Sequence, residues 1–303
     1  GSLYSDALGD ADSVEGTYVG MFLYNIKTIV HMREHWPKDE HRFQFRAAKS
    51  IINKHVDKII AINETSANII GLTKKTSIIY DWIDFSNRNK KIDLLKTIKV
   101  NSERELIFLF LGGMQSIKGA YEIVKTFSNK IDDDNARLIF VGYNSEEYDS
   151  NSVKAYIKTI LRRINKPVYS DRIKNIVQKD DRIIFIPATK NVKNLIEQAY
   201  CLVSFPIIPH AILPLAESIW NCTPVISADT PEAREYTNDG KGAILVPMNN
   251  LEELAKAMKY AINNPEQIRT NAYNGSKRIR TMFDPEVNYG KLSELYSSLS
   301  SKQ

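Results

Sequence analysis

The stretch FLFLGGMQSIKGAYEIVKTF, residues 108–127, decides how the rest of the chain is read. A continuous apolar run stops at Gly112 and Gly113, and beyond Lys118 and Gly119 the apolar residues recur at helical spacing. A buried strand that becomes a helix through paired glycines and a lysine has two readings. One is a tight strand-to-helix turn, for which glycine's wide backbone range is suited. The other is an anion site, because N–H groups at a helix N-terminus attract phosphate and a lysine adds a point charge. The stretch alone leaves both open.

Working outward, ELIFLFLG, ARLIFVGY, RIIFIPA, CLVSFP, TPVISAD and GAILVP are short, β-branched and almost continuously apolar. Such runs predict parallel strands buried on both faces. Helical patterns lie between them at 118–128, roughly 151–178, 190–199, 213–221 and 231–237, followed by LEELAKAMKYAINN and two further helices. Strand and helix in alternation predict a doubly wound α/β domain. Ahead of it, IKTIVHMRE, DKIIAINE and TSIIYDWID read as strands, with helices in FRAAKSIINKHV and TSANIIGL. That is about half of a second α/β domain. The lysine-rich stretch 85–103 is the natural linker. The expected organisation is a partial α/β domain over 1–98, a complete one over 99–283 and a closing helix over 284–303.

With 41 basic and 36 acidic residues the net charge is +5, too diffuse to argue for nucleic acid. Hydrophobic content of 43% supports real cores. No apolar run reaches the ~18 residues of a membrane span, and no leader pattern stands before the first strand, so a cytoplasmic location is expected. Cys201 and Cys222 sit among apolar residues and read as buried, reduced thiols.

Ligands of an open parallel sheet bind beyond the carboxyl ends of its strands. The loop after the first strand of the second domain offers Gly112, Gly113 and Lys118. After CLVSFP comes IIPHAILPLAE, where Pro214 opens a helix and Glu217 is expected in its first turn. A carboxylate there suits sugar hydroxyls, since it accepts two hydrogen bonds at once. Its alternative role is to stabilise the helix dipole. Lys118 and Glu217 together point to a ligand that carries both phosphate and ribose.

The order of FLGGMQSIKG, ARLIFVGYNSEEY, DDRIIFIPATKNVKNLIEQAYCLVSFP, LPLAESIWNCTPVIS, EAREYTNDGKGAILVP and NNLEELAKAMKYAINNPE resembles the donor-binding domain of group 1 (family 4) retaining glycosyltransferases. VHMREHWP and DKIIAINETSANII are similar to the second half of that family's acceptor-side domain. The resemblance implies a GT-B fold, with two Rossmann-like domains facing a cleft and the N-terminal one incomplete. It implies transfer of a sugar from a UDP- or GDP-linked donor to a saccharide or lipid-linked saccharide, with no cofactor and no metal. Lys118 would meet the donor diphosphate beside Gly112 and Gly113, with the helix opening at Leu213 and Pro214 opposite. Glu217 would hold the ribose, the Pro187–Val192 loop would border the base, and His31 would face the transferred sugar. The family's usual arginine after the first glycine is Gly113 here. The first of its paired glutamates is Pro209, a place His210 is expected to fill. Those departures, and the missing first third of a usual member, define the competing expectation of a nucleotide-sugar binding module without catalysis.

Asp132-Asp133-Asp134 has the D-x-D look of metal-dependent transferases, but it precedes a strand and so belongs to the opposite edge; it reads as a solvated turn. HWPKDEHRFQFRAAK mixes basic and aromatic residues, which reads first as a solvated helix face with a few core aromatics and second as a peripheral contact at an anionic inner membrane face. Asp10 and Asp12 lack the remainder of a calcium loop. The absence of HExxH, GxSxG and paired CxxC removes the common hydrolase and zinc readings.

Overall fold

The computed structural model describes residues 27–33, 43–83, 94–101, 103–142, 169–210 and 212–300. Asp10, Asp12, all of HWPKDEH, the front of the helix expected over 151–178 and most of the lysine-rich linker lie outside these residues. The chain forms two compact units, one of residues 1–81 with 286–303 and one of residues 82–285.

In the smaller unit, β1 (Ile29–Met32), β2 (Lys58–Ala61) and β3 (Thr76–Ile78) make a parallel sheet in that order. Its connections are α1 (Phe43–His55) and α2 (Glu64–Ile70). Both ends of α2 are chemically defined. Asn63 Oδ1 accepts the Ser66 N–H at 2.7 Å, and Gly71 closes the helix in the left-handed region at φ 62°. Met32, Phe45, Ile52, Val56, Ile59 and Ile70 form one core cluster. Ile60 and Ile79 pack with Leu292, Leu295 and Leu299, a single stripe of the last helix, Pro285–Ser300.

The larger unit begins with α3 (Leu94–Thr97) and then builds a six-stranded parallel sheet of β4 (Leu106–Phe110), β5 (Ala136–Val141), β6 (Ile183–Ile186), β7 (Cys201–Ser204), β8 (Val225–Ala228) and β9 (Ile244–Val246). Their spatial order is β6-β5-β4-β7-β8-β9. The chain winds outward from β4 to β6, crosses back to β7 beside β4, and winds the other way. The strand order therefore reverses between β4 and β7, the place where open α/β sheets bind ligands. Between strands run α4 (Ala120–Lys130), α5 (Tyr169–Val177), α6 (Val192–Gln198), α7 (Leu213–Trp220) and α8 (Pro231–Thr237). After β9 come α9 (Leu251–Asn263) and α10 (Pro265–Met282), so that the last helix is α11. Phe108, Phe127, Phe140 and Phe205 are fully buried in one core.

The helix expected from 118 starts at Ala120. A 3₁₀ turn, Ser116–Lys118, precedes it, and Gly119 at φ 74° breaks the helical path between them. Cys201 is buried as expected, whereas Cys222 is only half-buried; both are free thiols.

Candidate functional site

The site grows from two strand ends that touch. Gly119 holds φ 74°, and a Cβ there would lie 1.9 Å from the Phe205 carbonyl oxygen. Only glycine lets the loop after β4 come so close to the loop after β7. One step along, the Ile207 N–H donates to the Ile117 oxygen at 3.0 Å, stitching the two loops together. Lys118 thus sits on a turn fixed at the reversal point of the sheet. Its side chain is half-buried and has no ion-pair partner among the described residues.

Gly113 stands where the resemblance led an arginine to be expected. Its φ is 58°, and an added Cβ would stand 3.1 Å from the Gly142 oxygen. Its N–H is already committed to the Val141 oxygen at 3.1 Å. The paired glycines therefore serve first as a strand-to-helix turn locked to the end of β5, and the Gly113 amide is not among those free to meet an anion. Gly112 is packed under the Phe110 ring, which a Cβ would overlap.

Two helices open at this edge. At the start of α4, the Tyr121 N–H donates to the Tyr169 hydroxyl at 2.8 Å. Tyr169 comes from α5; burial pushes its phenol up to about 12, keeping it a neutral acceptor. The Arg172 guanidinium lies 3.8 Å from the centre of the Tyr121 ring. The sequence placed a helix here but gave Tyr169 no role, and nothing in its spacing signals one. At the start of α7, by contrast, Ile212 offers no side-chain cap, and Leu213 and Pro214 form the first turn.

Glu217 lies in the second turn of α7, not the first. The helix dipole acts within the first turn, so that stabilising role loses its basis. Burial alone pushes its carboxyl above the usual range. Among the described residues no side chain or backbone group pairs with that carboxylate. The carboxyl is half-buried with no protein partner, so its cost to the fold is partial desolvation.

The remaining expected residues lie around this edge or in the other unit. The Gly142 N–H donates to the Ile186 oxygen at 3.0 Å, tying the end of β5 to the strand that leads into exposed Pro187. Val192 opens α6. His210 Nδ1 donates to the Ile208 oxygen at 2.9 Å. His31 belongs to the smaller unit, at the exposed end of β1. Partial desolvation and Arg33 push its imidazole below the ordinary value, while Asp81, paired with Arg33 at 3.8 Å, pulls it upward. Asp132, Asp133 and Asp134 lie before β5, where Asp133 closes the turn by accepting the Asn135 and Ala136 N–H groups at 2.8 and 3.0 Å. They line an open depression of about 390 Å³ with Lys259 and Ile262, at the edge away from Lys118. Among the described residues no three His, Cys, Asp or Glu side chains cluster as metal ligands.

The family described as Glycosyl transferases group 1 matches residues 91–278, well over half the chain. The chain belongs to that family. HepE of Anabaena, solved with UDP and glucose, superposes on this group 1 glycosyltransferase with a TM-score of 0.76 at 17% identity, covering 95% of this chain and 76% of HepE. A glycosyltransferase from Rickettsia africae gives 0.74 at 18%, over 97% of this chain and 76% of its own. Sucrose-phosphate synthase of Thermosynechococcus elongatus gives 0.71 at 18%, over 96% and 72%. The α/β fold of GT-B type is the one these glycosyltransferases share. Among curated proteins, a 30-residue stretch is 67% identical to the zinc-binding protein TroA of Treponema pallidum. It spans 10% of each chain, too little to carry a fold or function across. No helix among the described residues is long and apolar enough to cross a membrane.

Proposed function

We propose that this chain is a retaining, metal-independent glycosyltransferase of the family 4 type, moving a hexosyl group from a UDP- or GDP-linked donor to a saccharide or lipid-linked saccharide. Polysaccharide assembly at the cytoplasmic face of a membrane fits such an acceptor, and Phe43, 78% exposed at the start of α1, suits a peripheral contact there. The observation that carries the reading is the pairing of an uncapped α7 start with the unpartnered carboxylate of Glu217, across the stitched loops from Lys118.

Each group then has a task. Lys118 and the Leu213 N–H at the start of α7 offset charge that builds on the departing diphosphate, an electrostatic contribution that needs no metal. Glu217 accepts both ribose hydroxyls, with the base along the Pro187–Val192 loop. His31, exposed on β1 of the smaller unit, is proposed as a sugar-facing group. UDP-bound HepE supports the nucleotide assignment. The competing reading, a binding module without catalysis, is favoured by Gly113, whose backbone leaves no place for a second phosphate-binding cation.

Calorimetric titration of UDP and GDP, with and without EDTA, tests the proposal. Binding should survive chelation; its loss would overturn metal independence. The 2′-deoxy nucleotides should bind more weakly by ~1.5–3 kcal/mol, the worth of a hydrogen bond to a charged group. Glu217→Gln should narrow that gap, and an equal ribose preference in both proteins would remove Glu217 from the site. Donor hydrolysis in the absence of acceptor separates an enzyme from a binder, which should release no free sugar.

A further inference from the structure

The smaller unit carries a basic surface that nothing acidic offsets. Residues 43–56 and 65–80 hold Arg46, Lys49, Lys54, Lys74 and Lys75 and no aspartate or glutamate, leaving 36 of the 41 basic residues to face the 36 acidic ones elsewhere. Two contacts join these segments into one surface. Lys75 Nζ donates to the Asn53 and Val56 carbonyl oxygens, the second at 2.8 Å, so the turn before β3 closes the end of α1. Lys49 Nζ lies 3.1 Å from where a Cβ on Gly71 would stand, against the residue that ends α2. Among the described residues none of Arg46, Lys49, Lys54 and Lys74 forms an ion pair. Asp57, which follows α1, is taken by Lys27 and by the Thr28 N–H at 2.9 Å.

The side chains of α1 divide between two faces. Phe45 and Ile52 enter the core with Met32, Val56, Ile59 and Ile70. Phe43, Arg46, Ser50 and Lys54 are exposed, and their steps of three, four and four residues set them in one line along the outer face. From Phe43 to Lys54 that line runs ~17 Å. An isolated exposed phenylalanine is ordinary. A phenylalanine 78% exposed, in line with cations and clear of acids, is the pattern of a helix that lies in a membrane interface. The helix connects two parallel strands and so runs against them. Phe43 and Arg46 therefore stand at the carboxyl edge of the β1-β2-β3 sheet, the edge toward which His31 lies on β1.

We propose that this face docks on an anionic bilayer, with Phe43 in the headgroup region and Arg46, Lys54 and Lys74 against lipid phosphates. Anionic headgroups supply the charge that the surface lacks, and a bilayer also accepts the phenyl ring, which a soluble polyanion does not. The axis of α1 then lies in the membrane plane, and a saccharide carried on a lipid meets the carboxyl edge of the smaller sheet. Only that last step rests on the lipid-linked acceptor proposed above; the docking uses no part of the nucleotide site.

Co-sedimentation of the full chain with vesicles of phosphatidylcholine alone, and of phosphatidylcholine mixed with phosphatidylglycerol, tests the docking surface. The anionic vesicles should bind the protein and the neutral ones should not, and salt should weaken the binding by screening. Arg46→Gln and Lys54→Gln should each lower the partition coefficient about 5-fold, the worth of one basic residue near a charged membrane. Lys259→Gln and Lys277→Gln remove the same charge from exposed positions of the larger unit and should leave it nearly unchanged. Phe43→Ser should weaken the binding that survives high salt, since an apolar contact is not screened. All these positions are exposed, and circular dichroism checks that each variant is folded. Absence of vesicle binding, equal binding to both vesicle types, or equal losses from the two pairs of charge variants would overturn the proposal. Heparin binding through Arg46 and Lys54 without vesicle binding would overturn it too, making the partner a soluble polyanion. The assay contains no nucleotide, so its failure leaves the nucleotide-sugar reading standing, and a failed diphosphate titration leaves the docking surface standing.

Discussion

The two helices that start where the larger sheet reverses its order begin in opposite chemical states. In α4 a backbone N–H of the first turn is taken by the Tyr169 hydroxyl, and Arg172 covers the adjoining ring. In α7 no side chain caps the first turn, and a carboxylate without a partner waits one turn further on. Both helices follow strands that lie side by side, β4 and β7, so the sheet alone does not choose between them. What differs is who satisfies the helix end. Every helix leaves its first N–H groups without an internal partner, and these are met by the protein or by something else. At α4 the protein meets one of them. At α7 the Leu215 N–H turns back to the Ile212 oxygen at 3.2 Å, Pro214 has no N–H to give, and the Leu213 N–H meets no partner among the described residues.

That comparison has a breaking point in Gly119. Its missing Cβ is what lets the α4 turn touch the Phe205 carbonyl, so Gly119→Ala should force the loops apart. Strain at a left-handed residue and overpacking against backbone together should cost about 2–5 kcal/mol of stability, the largest effect expected here. Urea denaturation measures it. A loss below ~1 kcal/mol would mean that the two loops slide freely and that Lys118 is not placed by their contact.

A sharper division comes from one substitution on each side. Lys118→Ala should weaken UDP or GDP by ~1.5–3 kcal/mol while stability changes little, because the ammonium has no ion-pair partner within the described protein. Tyr169→Phe should do the reverse. It removes one acceptor from the Tyr121 N–H and should cost ~0.5–1.5 kcal/mol of stability with diphosphate affinity nearly unchanged. Calorimetry and denaturation on both variants read the contrast. Tighter diphosphate binding after Tyr169→Phe would show that α4, once uncapped, is itself the anion site.

Much of this was legible before any coordinates. The strands of the larger unit announce themselves because parallel strands buried on both faces are continuous apolar runs, and glycine and proline punctuate them. Lys118 and Glu217 stood out for chemical type and for place after a strand. The strand order was not legible, since periodicity says which face is buried and not which neighbour lies beside it. Tyr169 was invisible for the same reason, being 48 residues from the amide it caps. Glu217 was misplaced by one turn because the helix opens at Leu213 through proline, without the capping side chain that marks a start in sequence. For the Gly113 turn the sequence left a tight turn and an anion site both open, and the left-handed backbone against Gly142 shows that its N–H is committed to the Val141 oxygen.

The smallest effect concerns what Glu217 costs the fold when no ligand is bound. Burial favours its protonated form, so the folded chain holds that proton more tightly than the unfolded chain. Between the ordinary carboxylate value of ~4.3 and the raised folded value, the folded state binds more protons, and stability falls as pH rises through that window. Above the window the half-buried, unpaired carboxylate carries its desolvation penalty. Glu217→Gln has no proton to lose and similar helix propensity, so the variant should be slightly more stable than the parent at pH 7–8. The advantage should fade as pH falls toward 4, where both chains carry a neutral group at this position. Paired urea titrations from pH 4 to 8 measure the difference. Had Glu217 served the helix dipole, the variant would instead be less stable by ~0.3–1 kcal/mol at neutral pH, with the deficit shrinking in acid. The sign of the difference at pH 7 therefore distinguishes a carboxylate kept for a ligand from one kept for its helix. A saturating nucleoside diphosphate should reverse that sign, because the bond to ribose is made only by the parent chain.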